Sequence, residues 1–214
     1  MIHIYDGNNF FRRLIEKDPR PVSTIYTMSC AMAATHLWVW DGLGGNFKRR
    51  KIFPDYKMQR SKTEESIRET MVIVKDVISH SRSTQVELND YEADDVIAHL
   101  ALDFADKGAD VMVDTSDYDM VQLAQHPKIR TTVKVKDHIP ADKVRLYKTW
   151  VGDPSDNIPG VVGFGATTWL QQMNNPDLMK MIGNAVSEKW DPELATKTFT
   201  SRQARSNPGW RWSR

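Results

Sequence analysis

Short apolar runs that each break off at an aspartate mark the first half of the chain. Ile2–Tyr5 is apolar and β-prone and runs into Asp6-Gly7-Asn8-Asn9, a turn composition, so a strand followed by a loop is expected. Leu37-Trp38-Val39-Trp40 repeats the pattern and ends in Asp41-Gly42. Val111-Met112-Val113 is a third such strand, followed by Asp114, Asp117 and Asp119, and Val86–Leu88 is a weaker fourth. Between the strands, a helix is expected from Ser23 to Thr35. Ser61-Lys62-Thr63-Glu64 has the form of a capping box, after which Ile67, Met71, Val74 and Ile78 recur at helical spacing. From Ala93, the residues Val96, Ile97, Leu100, Ala101 and Phe104 define one apolar face of a helix that ends at Gly108. The Gly42–Gly45 stretch and the basic run after it read as loop. Strands alternating with helices predict an α/β fold with a mainly parallel central sheet.

In such sheets ligands gather beyond the carboxyl ends of the strands. Three strands here each deliver carboxylates to that end, namely Asp6, Asp41 and the pair Asp117/Asp119. Taken alone, Glu92-Ala93-Asp94-Asp95 is the acidic first turn of a helix, complementing its dipole. Asp117-Tyr118-Asp119 alone is an ordinary loop, and Asp153-Pro154-Ser155-Asp156 alone is a capped turn. Together they make nine acids on five segments: Asp6, Asp41, Glu92, Asp94, Asp95, Asp117, Asp119, Asp153 and Asp156. So many carboxylates repel unless they are protonated or bridged by cations. With no His or Cys among them, the ions expected are hard ones, Mg²⁺ or Mn²⁺. Two such ions about 4 Å apart can activate a water and stabilise the leaving oxygen of a phosphodiester displacement.

Composition narrows this further. The net charge is only +1, so a uniformly basic nucleic-acid binder is excluded, but the charges are segregated. Between Phe47 and Lys62, Lys48, Arg49, Arg50, Lys51, Lys57, Arg60 and Lys62 face a single acid, Asp55. A basic strip beside an acidic pocket is what a metal-dependent nuclease needs. No apolar run is long enough to cross a bilayer, and the N-terminal sequence has no signal-peptide pattern, so a cytoplasmic setting is expected. The lone cysteine, Cys30, excludes an internal disulfide and reads as a small core residue. The six histidines are scattered and match no motif.

The motifs, in order, resemble the flap endonuclease/5′-3′ exonuclease family, which includes the 5′ nuclease domain of bacterial DNA polymerase I and stand-alone bacteriophage enzymes. They are Asp6-Gly-Asn-Asn, Trp40-Asp41-Gly, Tyr56-Lys57-x-x-Arg60, Glu92-Ala-Asp-Asp95, Asp117-x-Asp119-x-x-Gln-Leu123 and Gly152-Asp-x-Ser-Asp-Asn-Ile-Pro-Gly-Val-Val-Gly-Phe-Gly165. The resemblance covers residues 1 to about 170. It implies a PIN-like 5′ nuclease fold with a helical arch and a C-terminal helix-hairpin-helix element. The nine acids become the ligands of two metal ions, with Asp6, Asp94, Lys57 and Arg60 central to catalysis. Lys57 reaches the scissile phosphate and Arg60 supports it, where a cation stabilises developing negative charge. Arg49 contacts the same phosphate region, although the family pattern has one residue fewer after Phe47. Tyr56 stacks on a base near the cut. Lys48, Arg50, Lys51 and Lys62 add general backbone attraction.

The expected layout is a nuclease core at 1–150 with an arch segment at 57–80, a helix-hairpin-helix region at 151–190, and a tail at 191–214. Gly160, Gly163 and Gly165 of the hairpin would bring backbone N–H groups to a phosphate of duplex DNA, with K⁺ bound there. A helix is expected from Pro176 to about Lys189. The tail, with Arg202, Arg205, Arg211, Trp210 and Trp212, reads equally as a nucleic-acid grip or as a disordered end. The implied substrate is DNA with a free 5′ end or flap, extending to RNA annealed to DNA. The implied setting is a monomer working with replication proteins in a bacterial or phage-infected cell. The competing expectation is a catalytically weak structure-specific DNA-binding protein of the same fold.

Overall fold

Each of the aspartate-terminated runs forms a strand. In the computed structural model, which describes residues 1–61, 64–178 and 180–181, β1 (Ile2–Asp6), β2 (Thr35–Asp41), β3 (Thr84–Leu88), β4 (Val111–Asp114) and β5 (Ile129–Thr131) are present. They pair in the order β3-β2-β1-β4-β5, and every pairing is parallel. The chain steps outward in one direction from β1 to β3, then returns to pair β4 with the other edge of β1. That reversal is a topological switch point, and Asp6 ends the strand at its centre.

Alternation along the strands divides the apolar residues between two faces. Ile4, Leu37 and Val39 pack against Val96, Ile97 and Ala101 of α5 (Ala93–Asp106). Tyr5, Trp38 and Trp40 point the other way. There they meet Phe11 of α1 (Gly7–Ile15), Ile25 of α2 (Pro21–Ser29), and Val74 and Ile78 of α4 (Glu65–Ser79). Tyr5 stacks on Trp38 at 4.2 Å between ring centroids, so this face is built largely from aromatic rings.

The chain divides into two units, Met1–Lys51 with Arg60–Lys136, and Ile52–Gln59 with Asp137–Arg214. The change at residue 137 falls ahead of the division expected near 150. The second unit contains α6 (Val144–Val151) and α7 (Ala166–Gln172) around a core of Trp150, Val161, Phe164, Trp169, Leu178 and Met181.

Several elements differ from expectation. Asp6-Gly7-Asn8-Asn9 is not a loop: Asp6 caps α1, its carboxylate accepting the Asn9 N–H at 3.2 Å, and Phe11 anchors the helix in the core. The helix expected to run to Thr35 stops at Ser29, because Thr35 already pairs with Ile2 in the sheet. Cys30, expected in the core, is half-buried at the end of that helix. The basic run forms a short helix, α3 (Phe47–Ile52). The helix after the expected capping box begins only at Glu65, with no side-chain cap, and Lys62 and Thr63 lie outside the described residues. Of the expected arch segment, Val74 and Ile78 are core residues. Most of the helix expected at 176–189, and the tail, lie outside the described residues.

Candidate metal and nucleic-acid site

The first unit carries seven of the nine expected acids, and the switch point gathers several of them. Asp6 is only 5% exposed, with one carboxylate oxygen on the Asn9 N–H and the other accepting from the Thr115 hydroxyl at 2.9 Å. Thr115 Oγ1 in turn accepts the Asp117 N–H at 3.0 Å, tying the loop after β4 to the end of β1. Burial pushes the Asp6 carboxyl up to about 6. The Asn9 and Thr115 hydrogen bonds oppose that shift, while the charges of Asp41 and Asp117 add to it. Asp6, Asp41 and Asp117 are therefore electrostatic neighbours whose charges resist one another.

Asp41, at the end of β2, accepts the backbone N–H of Ala93 at 2.8 Å. It thus caps α5, a role that Glu92, at the N-cap position, does not fill with its own side chain. Asp94 and Asp95 follow in the first turn of the same helix. The glycine after Asp41 is required by its surroundings, because a Cβ there would lie 1.8 Å from the Leu88 carbonyl oxygen. Arg49 of α3 bonds Glu92 at 2.6 Å and Asp95 at 2.8 and 2.9 Å. The residue expected at a phosphate is thus placed as a counter-charge to two of the acids. Asp117 caps the 3-10 helix Tyr118–Gln125, its carboxylate accepting the Asp119 N–H at 2.9 Å.

The donor set suits a hard divalent cation: the acids at this end of the sheet offer oxygen alone, and the ionised form of Asp6 is disfavoured until positive charge arrives. Among the described residues, however, no three His, Cys, Asp or Glu side chains are drawn together tightly enough to hold an ion. Arg49 supplies part of the balancing charge instead.

The second unit holds Asp153 and Asp156 beside two lysines. Lys148 Nζ lies 2.5 Å from Asp153 and 3.8 Å from Asp156, and Lys57 Nζ lies 3.8 Å from Asp156. Burial opposes ionisation of Asp153, but the bonds from Lys148 and Ser155 outweigh it and hold the carboxyl below its usual range. Lys57 adopts a left-handed backbone, φ 54°, with its N–H on the Asp156 carbonyl. Tyr56, expected to stack on a base, is 7% exposed, its ring taken into the packing with Lys57 Nζ 4.9 Å from its centroid. Arg60 is exposed and belongs to the first unit. Gly160 is needed by close packing, since a Cβ would fall 2.5 Å from the Gly152 nitrogen. Gly163 has φ 80°, and Gly165 immediately precedes α7.

Sequence reasoning missed Thr115, Arg13 and Lys148. Arg13 pairs with Asp114 at 2.7 Å. It also missed the buried Tyr5 hydroxyl, set 3.1 Å from both His3 Nδ1 and His36 Nδ1. Period-two spacing of His3 with Tyr5 is the only signal that could have suggested the first of these contacts.

The model of the 5′-3′ exonuclease N-terminal resolvase-like domain matches residues 19–150. The chain belongs to the 5′-3′ exonuclease family. A 5′-3′ exonuclease of Aquifex aeolicus is 35% identical over 132 residues, covering 56% of this chain and 46% of that protein. DNA polymerase I of Bacillus subtilis is 29% identical over 181 residues, covering 76% of this chain and 20% of the polymerase. This member of the family therefore spans about half of the first relative and a fifth of the second. Its fold is also that of T5 5′-exonuclease with divalent metal ions (zinc) bound. The TM-score is 0.62 at 23% identity, over 80% of this chain and 74% of that one. A bacteriophage T5 flap endonuclease in a pseudo-enzyme–product complex with DNA and metal ions gives 0.61 at 21% identity, over 84% and 75%.

Proposed function

We propose that this chain is a structure-specific 5′ nuclease, a 5′-3′ exonuclease or flap endonuclease, that hydrolyses phosphodiester bonds with divalent metal ions. The observation that carries the reading is the buried carboxylate of Asp6, pushed up to about 6 at a sheet switch point with Asp41 and Asp117 as charged neighbours. A protein that only bound nucleic acid would gain nothing from acids that repel phosphate there, which disfavours the catalytically weak alternative. Family membership and the T5 fold agree with a nuclease.

Asp6, Asp41, Glu92, Asp94, Asp95, Asp117 and Asp119 of the first unit would hold the metal, with Mg²⁺ or Mn²⁺ the ions whose oxygen preference fits. When bound, such ions lower the pKa of a water and stabilise charge on phosphate oxygens. The chain's own part is to fix those ligands. Thr115 and Asn9 orient Asp6, and the α5 N-terminus orients Asp41. Asp153 and Asp156 are proposed as further metal-site acids, and Lys57 and Arg60 as the cations that meet the scissile phosphate. Gly160, Gly163 and Gly165 are proposed to approach the backbone of duplex DNA, with K⁺ as the accompanying ion.

The proposed substrate is DNA with a free 5′ end or flap, with RNA annealed to DNA as a second substrate. The test is cleavage of a 5′-labelled flap duplex with Mg²⁺ and with EDTA. Mg²⁺-dependent cutting at the flap junction, lost in Asp94→Asn and Lys57→Ala, supports the reading. Tight, salt-sensitive binding without cutting overturns it in favour of a binding protein.

A further inference from the structure

Two aromatic rings of the first unit stand exposed, one opening the basic run and the other next to the acidic first turn of α5. Phe47 is 53% exposed and opens α3 just ahead of Lys48 and Arg49, while Tyr91, 42% exposed, directly precedes Glu92. Neither ring contributes to the two cores of that unit. Tyr91 is not on a loose loop. Its carbonyl accepts the Gly42 N–H at 3.1 Å, and the Asp90 N–H bonds the Leu43 carbonyl at 2.9 Å, so its backbone is laced to the turn that follows Asp41.

Each ring carries a lysine. Lys48 Nζ lies 3.3 Å from the Tyr91 centroid, and Lys51 Nζ lies 4.5 Å from that of Phe47. Lys48 follows Phe47 on α3 and reaches Tyr91, so α3 and the segment ahead of Glu92 are neighbours. Exposed aromatic faces crowned by ammonium groups match both parts of an unpaired strand. A base offers a face of the same kind as the ring, and the flanking phosphate offers the lysine a stronger partner than a ring quadrupole. An apolar protein partner would instead bury Lys48 and Lys51 without a counter-charge.

We propose that Tyr91 and Phe47 form a stacking platform for unpaired bases of a DNA strand, on which Lys48 and Lys51 leave the ring faces to meet the flanking phosphates. The proposal rests on the nuclease reading for why such a strand comes to this surface, but stacking itself needs neither metal nor cleavage. Tyr56, the ring that the family motif offers for stacking, is buried.

The test measures binding in EDTA of a fluorescently labelled single strand and of the same strand with consecutive abasic sites, at several salt concentrations. The wild type is expected to prefer the strand with bases by about tenfold. Tyr91→Ala should lose that preference and Tyr91→Phe should keep it. Lys48→Met should keep the preference while lowering the salt slope of binding by about 0.7, one single-strand phosphate contact. Thermal unfolding of each variant checks that it folds, and the wild-type comparison of the two strands needs no variant at all. Equal affinity of the wild type for both strands overturns the platform, as does a folded Tyr91→Ala protein that retains the preference. Cleavage of a flap substrate with Mg²⁺ is measured alongside. Preference for bases without cleavage sinks the nuclease reading and leaves the platform standing, whereas cleavage with equal affinity removes the platform alone.

Discussion

The carboxylate of Asp41, the last residue of β2, accepts the backbone N–H of Ala93, the first residue of α5, at 2.8 Å. One side chain therefore joins a strand end to the helix that carries Asp94 and Asp95, serving as cap and as candidate ligand together. The two roles separate by substitution. Asp41→Asn keeps an acceptor oxygen for the cap and is expected to unfold within about 0.5 kcal/mol of the wild type, yet to lose most metal-dependent activity. Asp41→Ala loses both and is expected to cost a further ~1 kcal/mol in denaturant unfolding.

Asp6 leads to a pH prediction. Its carboxyl is pushed up to about 6 in the folded protein, from an ordinary value of 3.8. The folded state thus holds this proton where the unfolded chain has lost it, and its stabilising effect fades as pH rises through that window. The ionised group then costs up to about 3 kcal/mol above pH 6. Asp6→Asn should accordingly raise the metal-free melting temperature at pH 7.5, by a few degrees. Saturating Mg²⁺ should narrow or reverse that difference, because the ion compensates the wild-type charge. Metal affinity of the wild type should rise between about pH 5 and 7 as Asp6 ionises.

Arg49 is a positive charge paired with both Glu92 and Asp95. Arg49→Met is expected to destabilise the metal-free protein by about 1–2 kcal/mol, discounted for partial exposure of the pair. Adding Mn²⁺ should recover most of the loss in a thermal melt. If the melt shows no loss without metal, Arg49 is not the balancing charge.

Lys148 holds the Asp153 carboxyl below its usual range against the pull of burial. A depressed carboxyl contributes stability above its unfolded value and loses it as pH falls through its folded one. Lys148→Met should therefore lower stability most at neutral pH, read by denaturant unfolding followed by circular dichroism, with the difference from the wild type shrinking as pH falls through the folded value of Asp153.

Gly42 has no room for a side chain, a Cβ falling 1.8 Å from the Leu88 carbonyl oxygen. Gly42→Ala must displace either the turn after Asp41 or the end of β3, and is expected to cost about 1–3 kcal/mol by thermal unfolding.

Much of this was legible from pattern. The runs ending in Asp6, Asp41 and Asp114 became β1, β2 and β4 because apolar, β-branched and aromatic residues alternate between two buried faces. The helices with a clear apolar stripe, α4 and α5, were legible for the same reason. What escaped depends on tertiary contact. Gly7-Asn8-Asn9 has turn composition, yet Asp6 caps it and Phe11 pins it as a helix. Lys48-Arg49-Arg50-Lys51 has no apolar stripe, and Arg49 finds its partners more than forty residues away in sequence. The candidate acids were picked out by type, and Asp6, Asp41, Asp117 and Asp119 also by position after strands. The Thr115 hydroxyl that orients Asp6 was not, because a lone threonine carries no spacing signal. Tyr56 was matched by its motif, but its burial depends on how the second unit packs.

The central claim is that the acids at the switch point form a divalent-metal site, and titration of Mn²⁺ into the metal-free protein, followed calorimetrically at pH 7.5, tests it most directly. The account predicts saturable binding of two ions that weakens at least tenfold in Asp6→Asn and strengthens as pH rises through about 6. Absence of binding at millimolar Mn²⁺, or binding unaltered by Asp6→Asn, would contradict it.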